Sequence, residues 1–353
     1  MELYPLKFKP VYKSKIWGGR KLKDVFNRDL PDQNIGESWE VAAHPNGTSI
    51  VANGSLKGQS LPDIINTYGD KITGEKLVDI CQERFPLLIK LLDAEKKLSV
   101  QVHPDNDYAH RVENDSGKTE MWYIIDARPG ARLVYGLKPG TTKEQLAKAI
   151  KRGEIEKYLN RVPVKKGDVF FMPSGTIHAI EEGILLAEIQ QNSDTTYRVY
   201  DWDRVGQDGN PRPLHIEKAL DVINFKTDSS LVNYKPLSVN TDQYRRDFLA
   251  ACPYFVTEYI EVKDEIDFII NKFIVLMCLK GTGEIHYNNR KTRIAAGETL
   301  LIPAALEKIK IRGNVNFIKT FIPSSKSNVI NELAELGFDE DKIKTIPGLT
   351  SWK

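Results

Sequence analysis

Apolar residues in this chain fall mostly into short runs that alternate with polar ones or stand unbroken between turn residues. Such runs occupy 161–165, 168–172, 176–180, 184–190 and 196–200, and a second series fills 254–322. Short strands at regular spacing, punctuated by turn residues, predict a barrel or a sandwich. Earlier in the chain, 36–43, 86–92 and 98–102 also read as strands. Residues 119–127 are expected to pair with 131–136 through a turn at Arg128, Pro129 and Gly130. Residues 3–20 alternate and end in Trp17, Gly18 and Gly19, which predicts an edge strand followed by a turn.

Helical spacing is confined to insertions. It begins after Ser60, with Pro62 near the helix start, and continues toward residue 80. Residues 104–113 and 215–222 also read as helices. The clearest helix is 141–151, TTKEQLAKAIK, with Thr141 or Thr142 as N-cap. Residues 154–159 extend it as a shorter helix. Residues 203–213 and 224–245 are polar connections. The tail after 324 holds a helical stretch near 329–336 and no residues that suggest chemistry.

One corner organises the rest. Gly167 and Asp168 predict a turn, and Val169 to Met172 a short apolar strand. Pro173 and Gly175 then bend the chain so that His178 opens the next extended segment. A histidine just past such a corner can point into a barrel. The spacing G-x5-P-x-G-x2-H is the second sequence motif of the cupin barrels. Residues 297–303 repeat G-x5-P, but the continuation from Ala304 to Lys308 has neither the second glycine nor the histidine. The fold expected is therefore mainly β: two cupin (jelly-roll) barrels with helical insertions, one barrel carrying a candidate metal ligand and one without.

Composition narrows the functional classes. The 353 residues include 50 basic and 48 acidic ones, for a net charge of +2, and 41% are hydrophobic. That balance argues against a dedicated nucleic-acid binder or a polybasic membrane binder. The N-terminus has no apolar core segment or small-residue cleavage site of a signal peptide. The longest uncharged apolar run, 273–279, is too short to span a bilayer. Cys81, Cys252 and Cys278 are odd in number and form no CxxC, which predicts packing cysteines in a reduced, cytoplasmic protein.

Six histidines are present. Besides His178, His103 follows Ser99 and Gln101 at alternate positions, so a strand there aims all three at one face. Glu120 enters another strand, with Lys118 on the same side. Two neutral imidazoles and a carboxylate suit Zn²⁺ or Fe²⁺, and a glutamine carbonyl can add a fourth ligand. His44, His110, His215 and His286 read as structural. Taken alone, Asp194 and Arg198 read as a surface pair at i, i+4 and Lys118 as a solvated turn residue.

QVHP (101–104), KTEMWYI (118–124), GDVFFMPSGTIHAI (167–180) and QQNSDTTYRVYDWDR (190–204) together resemble the type I mannose-6-phosphate isomerases of the shorter bacterial kind. KIWGG (15–19), GESWEVAAHPNG (36–47) and RPLHIEKAL (212–220) agree, and the resemblance covers about 1–322. It implies one zinc ion per chain, with Gln101, His103, Glu120 and His178 as ligands. It also implies Arg198, Lys118 and Asp194 as catalytic residues, with Ser99, Lys118 and Arg198 contacting the substrate. The asparagine common in cupins after the histidine motif is replaced here by Glu182. The usual closely spaced His-x-His and Glu are replaced by Gln101, His103 and the distant Glu120, a departure these isomerases share.

The resemblance further implies a domain division at 1–240 (metal-binding barrel), 241–323 (barrel without ligands) and 324–353 (tail). The expected activity is interconversion of mannose 6-phosphate and fructose 6-phosphate through a cis-enediol. The expected partner is a small sugar phosphate, with no nucleic acid or membrane, and the chain is expected to be a monomer or weak homo-oligomer. Two other readings use the same ligands: a non-haem iron oxygenase, which would not need Arg198 or Lys118, and a sugar-phosphate-binding protein without turnover.

Overall fold

Residues 2–206, 209–226 and 234–352 are described by the computed structural model. Strands dominate, as the short apolar runs predict. Six form one sheet in the order Val169–Met172, Glu120–Ala127, Ile184–Gln191, Leu87–Ala94, Ile35–Val41 and Val11–Gly19. Five form a second, in the order Leu159–Pro163, Arg132–Leu137, His178–Ile180, Val100–Val102 and Tyr197–Tyr200. Trp17, Leu92, Trp122, Leu133, Tyr135, Phe170 and Leu186 form a buried core drawn from both sheets, so the two pack face to face.

The outer faces are covered as well. Val100, Val102 and Tyr197 of the five-stranded sheet pack against Leu146 and Ala219 of the helices Lys143–Lys151 and Ile216–Val222. Ile89, Met121, Phe171 and Ile189 of the six-stranded sheet join the core of a ten-stranded sheet, which includes Phe255, Phe273, Ile311 and Phe317. Strands covered on both faces need no polar side, which is why Ile184–Gln191 is buried at every position. Most strands of the ten-stranded sheet come from residues after 236, but Leu6–Lys9 hydrogen-bonds to Thr299–Ile302.

Both G-x5-P corners form. Gly167 and Gly297 take positive φ, and the strands Val169–Met172 and Thr299–Ile302 follow. After Pro173 the chain turns at Gly175, where an added Cβ would stand 2.8 Å from the Val222 carbonyl oxygen, and His178–Ile180 begins. After Pro303 a tight 3₁₀ turn, Ala304–Leu306, leads to the strand Lys308–Phe321.

Several expected elements differ. Residues 119–127 and 131–136 do not pair. Glu120–Ala127 and Arg132–Leu137 lie in different sheets, because Ile184–Gln191 offers the first a ladder along its whole length and the turn carries the chain across the core. Trp17, Gly18 and Gly19 continue the strand Val11–Gly19 rather than turn. A Cβ on Gly18 would meet the Gly36 nitrogen at 2.4 Å, so that glycine serves close strand approach. The helix after Ser60 is divided into Leu61–Tyr68, Asp70–Thr73 and Val78–Glu83. The short helix at 154–159 is a 3₁₀ turn, Ile155–Tyr158, that passes directly into a strand.

The 224–245 connection contains the strand Leu237–Asn240, which pairs with Tyr244–Ala251. Residues 227–233, and 207–208 in the preceding loop, lie outside the described residues. The tail carries the helices Lys326–Glu335 and Glu340–Ile343, and Ile346, Leu349 and Trp352 are buried in the large core.

The helix Lys143–Lys151 starts as its composition predicts. Thr142 is the N-cap, and its hydroxyl and the Gln145 side chain each bond the other's backbone N–H. Thr142→Ala removes that box and is expected to lower unfolding stability by about 1 kcal/mol, read as a shifted urea midpoint at unchanged m-value. An unchanged midpoint would show that Leu146 packing alone holds the helix.

Candidate metal centre

Antiparallel registry aligns the site. Arg198 lies opposite Gln101, and Gln101 opposite His178, so three adjacent strands of the five-stranded sheet present these side chains on one face. His103 follows Gln101 by two residues and shares that face. Across the core, the six-stranded sheet presents a second row, with Trp39 opposite Lys90, Lys90 opposite Glu188, and Glu188 opposite Trp122. Glu120 lies two residues before Trp122 and points the same way.

His103, Glu120 and His178 are buried, and their candidate ligand atoms all lie within 4.8 Å of one another. His178 Nε2 is 3.2 Å from Glu120 Oε1, and His103 Nε2 is 3.8 Å from Glu120 Oε2. Donors on a four-coordinate zinc at its usual bond lengths stand about 3.3 Å apart, so the group is close to that spacing.

The imidazoles are also oriented for ligation. His103 Nδ1–H donates to the Thr195 carbonyl at 2.9 Å, and His178 Nδ1–H to the Thr176 carbonyl at 2.8 Å. A carbonyl can only accept, so each Nδ1 carries the proton and each Nε2 presents a lone pair to the centre. Burial, reinforced by Lys118, holds both rings neutral: His103 well below its usual pKa and His178 down to about 4.

Among the described residues, neither oxygen of the fully buried Glu120 carboxylate has a hydrogen bond of good geometry. Lys118 Nζ lies 3.2 Å from Glu120 Oε2 and 3.1 Å from His103 Nε2, an ammonium standing where two ligand lone pairs converge. Burial raises the Glu120 pKa, and Lys118 opposes that rise. A buried carboxylate that shares one ammonium with an imidazole, and two imidazoles with converging lone pairs, are what a divalent cation satisfies.

Gln101 Nε2 faces His178 Nε2 at 3.4 Å, while Ser99 Oγ lies 3.5 Å from Gln101 Oε1. Rotating the amide by half a turn would aim Oε1 at the centre and let Nε2 donate to Ser99, so Gln101 fits as a fourth donor.

The centre adjoins a cavity of 280 Å³ whose lining includes Ser99, Gln101, Lys118, Asp194, Arg198 and Arg212. The guanidinium of Arg198 donates to the Pro213 carbonyl at 2.8 Å, and among the described residues its buried Nε has no partner. Burial and then the nearby Arg212 lower its pKa, but a guanidinium stays charged. Asp194 accepts from Asn46 Nδ2 at 2.8 Å, and among the described residues no ion pair joins it to Arg198. His44 accepts the Asn46 N–H and His215 accepts the Arg198 N–H, both through Nδ1.

Five charged cavity residues were not singled out from the sequence: Lys15, Glu37, Lys90, Glu188 and Arg212. Lys90 pairs with Glu188 at 3.1 Å and lies 3.8 Å from Glu37, which pairs with Lys15 at 2.9 Å. Trp39 and Trp122 indoles donate to Glu37 and Glu188. The signal was visible: one lysine within PLLIKLL and one glutamate within ILLAEI interrupt otherwise apolar runs. Charges on strands buried on both faces need partners.

Among known proteins, a family model for the catalytic domain of type I phosphomannose isomerase matches residues 5–131, and one for the cupin domain of mannose-6-phosphate isomerase matches 245–322. The chain is 41% identical to the mannose-6-phosphate isomerase ManA of Bacillus subtilis, over 89% of this chain and 97% of that protein. It is 37% identical to the mannose-6-phosphate isomerase of Streptococcus mutans, over 89% of this chain and 97% of that one. A crystal structure of the mannose 6-phosphate isomerase from Bacillus subtilis matches with a TM-score of 0.84 at 34% identity, covering 91% of this chain and 100% of the other.

Proposed function

The chain belongs to the type I phosphomannose isomerases, and on that footing we propose that it interconverts mannose 6-phosphate and fructose 6-phosphate with one zinc ion held by Gln101, His103, Glu120 and His178. The observation that carries the metal assignment is the buried Glu120 carboxylate, which among the described residues has no hydrogen bond of good geometry and has the Lys118 ammonium 3.2 Å away, facing two imidazoles whose Nδ1 protons are already committed. Zinc bound there would supply Lewis acidity at the substrate's O1 and O2 without redox chemistry.

The reaction moves a proton between C1 and C2 through a cis-enediol, so it needs a proton carrier and fixed positive charge. Arg198 supplies permanent charge on the cavity wall, suited to the phosphate or to the enediolate but not to proton transfer. Lys118 is our candidate proton carrier. Its ammonium rests on His103 and Glu120, and a cation taking those lone pairs would drive it toward the cavity it lines. Asp194, held by Asn46, serves the hydroxyl proton during ring opening, and Ser99 offers a hydroxyl to the substrate phosphate.

We read the six- and five-stranded sheets as one jelly-roll barrel within 1–240 and the strands of 241–323 as a second, with 324–353 as a tail; the sequential corners at Gly167 and Gly297 support this. A cytoplasmic location and a monomer or weak homo-oligomer complete the proposal. The three buried free cysteines suit a reducing compartment. No helix among the described residues is long and apolar enough to cross a membrane.

A coupled assay tests the function. Mannose 6-phosphate is expected to yield fructose 6-phosphate, with activity lost on chelation, restored by Zn²⁺, and no O₂ consumed. Undiminished turnover after exhaustive chelation would remove the metal role. Oxygen uptake that depends on Fe²⁺ would favour the oxygenase reading of the same three ligands.

A further inference from the structure

The segment that leads into Glu120 and the loop whose Thr195 carbonyl backs His103 are tied together by one carboxylate, which is not among the residues of the centre or of its cavity. Asp115 precedes Lys118 and Glu120 on the segment entering the strand Glu120–Ala127. Its Oδ2 accepts the hydroxyls of Ser193 at 2.8 Å and Thr195 at 2.6 Å. Its Oδ1 accepts the Ser116 N–H at 2.8 Å and a short contact from Arg84. Ser193 Oγ in turn accepts the Thr195 N–H at 3.2 Å. The carbonyl of that same Thr195 receives the Nδ1 proton of His103.

Asp115 and Thr195 face a different space, a 530 Å³ cleft that also includes Arg84. Both hydroxyls, those of Ser193 and Thr195, are taken by the one oxygen Oδ2 of Asp115. The arrangement sets the position of one carbonyl, and that carbonyl sets the tautomer and tilt of one ligand.

We infer that Asp115 is a positioning residue for the metal centre: by clamping Ser193 and Thr195 it fixes the Thr195 carbonyl and so holds His103 in its ligating tautomer and orientation. This rests on the metal-centre reading above. A group hydrogen-bonded directly to a ligand is worth about 10- to 100-fold in metal affinity; Asp115 acts one hydrogen bond further out, through Thr195, so its effect falls at the low end of that range. No contact of Asp115 to substrate is needed for the effect.

The test is Zn²⁺ affinity by competition with a chromophoric chelator, on full-length wild type, Asp115→Ala and Thr195→Val. Thr195→Val removes the hydroxyl that Asp115 clamps but leaves the carbonyl and the side-chain shape, and it guards against an Asp115→Ala protein that fails to fold. Both variants are expected to bind Zn²⁺ about tenfold more weakly, the low end of the range for groups bonded directly to a ligand. The visible spectrum of their Co²⁺ forms is expected to shift, which a general loss of stability would not produce. Affinities within twofold of wild type in the folded variants, with unchanged Co²⁺ spectra, would overturn the inference. Failure of wild type itself to take up one equivalent of Zn²⁺ would instead overturn the metal-centre reading on which it rests.

Discussion

Alanine at His178 is expected to remove stoichiometric zinc and nearly all turnover. The lost group presents one of two converging Nε2 lone pairs, and water in the space left would have to replace a ligand oriented by the Thr176 carbonyl. A Lewis acid contributes several kcal/mol to such a reaction. Each ~1.4 kcal/mol is tenfold in rate, so kcat/KM should fall about 10³-fold or more.

Folding is a separate readout. His178 packs edge-on against Trp122, with ring centroids 5.2 Å apart, so some thermal stability is lost as well. His178→Leu keeps much of that volume, supplies no donor atom and should be equally inactive. Zinc content and kcat/KM measured on both variants decide the matter, and full activity in either would remove His178 from the ligand set.

The second large effect is on stability. Lys90→Met is expected to cost about 3–5 kcal/mol at pH 7, because it strips a buried cation from two buried carboxylates. Lys90 lies against Glu188 and near Glu37, with its ammonium 5.3 Å from the Trp39 ring centre. Burial works against ionised Glu37, but Lys90, then Lys15 and the Trp39 indole, overcome it and hold its pKa down to about 2.

The sign with pH follows from that shift. The folded pKa of Glu37 lies below its unfolded value, so its contribution is fully present above the unfolded pKa of 4.5 and is lost as pH falls through about 2. In Lys90→Met, Glu188 loses its ion-pair partner and Glu37 keeps Lys15 alone, so both take up protons at higher pH, which relieves the buried charge. The gap between wild type and variant should therefore be widest near pH 7 and narrower at pH 4. Urea unfolding of the metal-free proteins at both values measures it. A gap of equal size at both would show that the cost is packing rather than charge.

Local sequence carried much of this protein. The corner from Gly167 to His178 needs only a turn glycine, four apolar strand residues, a proline and a glycine, and it forms as written, as does its copy without a histidine at Gly297. The Thr142 cap was legible for the same reason, since its partners lie within one helical turn. The division of 119–127 and 131–136 between two sheets was not legible. Each is a good strand, and only competition from Ile184–Gln191, some sixty residues later in the chain, decides which neighbour each takes.

The sequence by itself determined the candidate chemistry and its alternation. It supplied Gln101 and His103 two apart on one strand, Lys118 and Glu120 two apart on another, and a histidine after a corner. Strand periodicity then obliges each pair to share a face. What only the tertiary structure decided is which faces meet, and what stands behind them.

The row from Arg198 through Gln101 to His178 depends on the register of three strands. The opposing row of Trp39, Lys90, Glu188 and Trp122 depends on four more. The clamp from Asp115 to Thr195 and His103 joins residues that sequence places about eighty and ninety positions apart. Such contacts leave little mark on local pattern, because what selects them is the removal of water and the pairing of buried polar groups across a closed core.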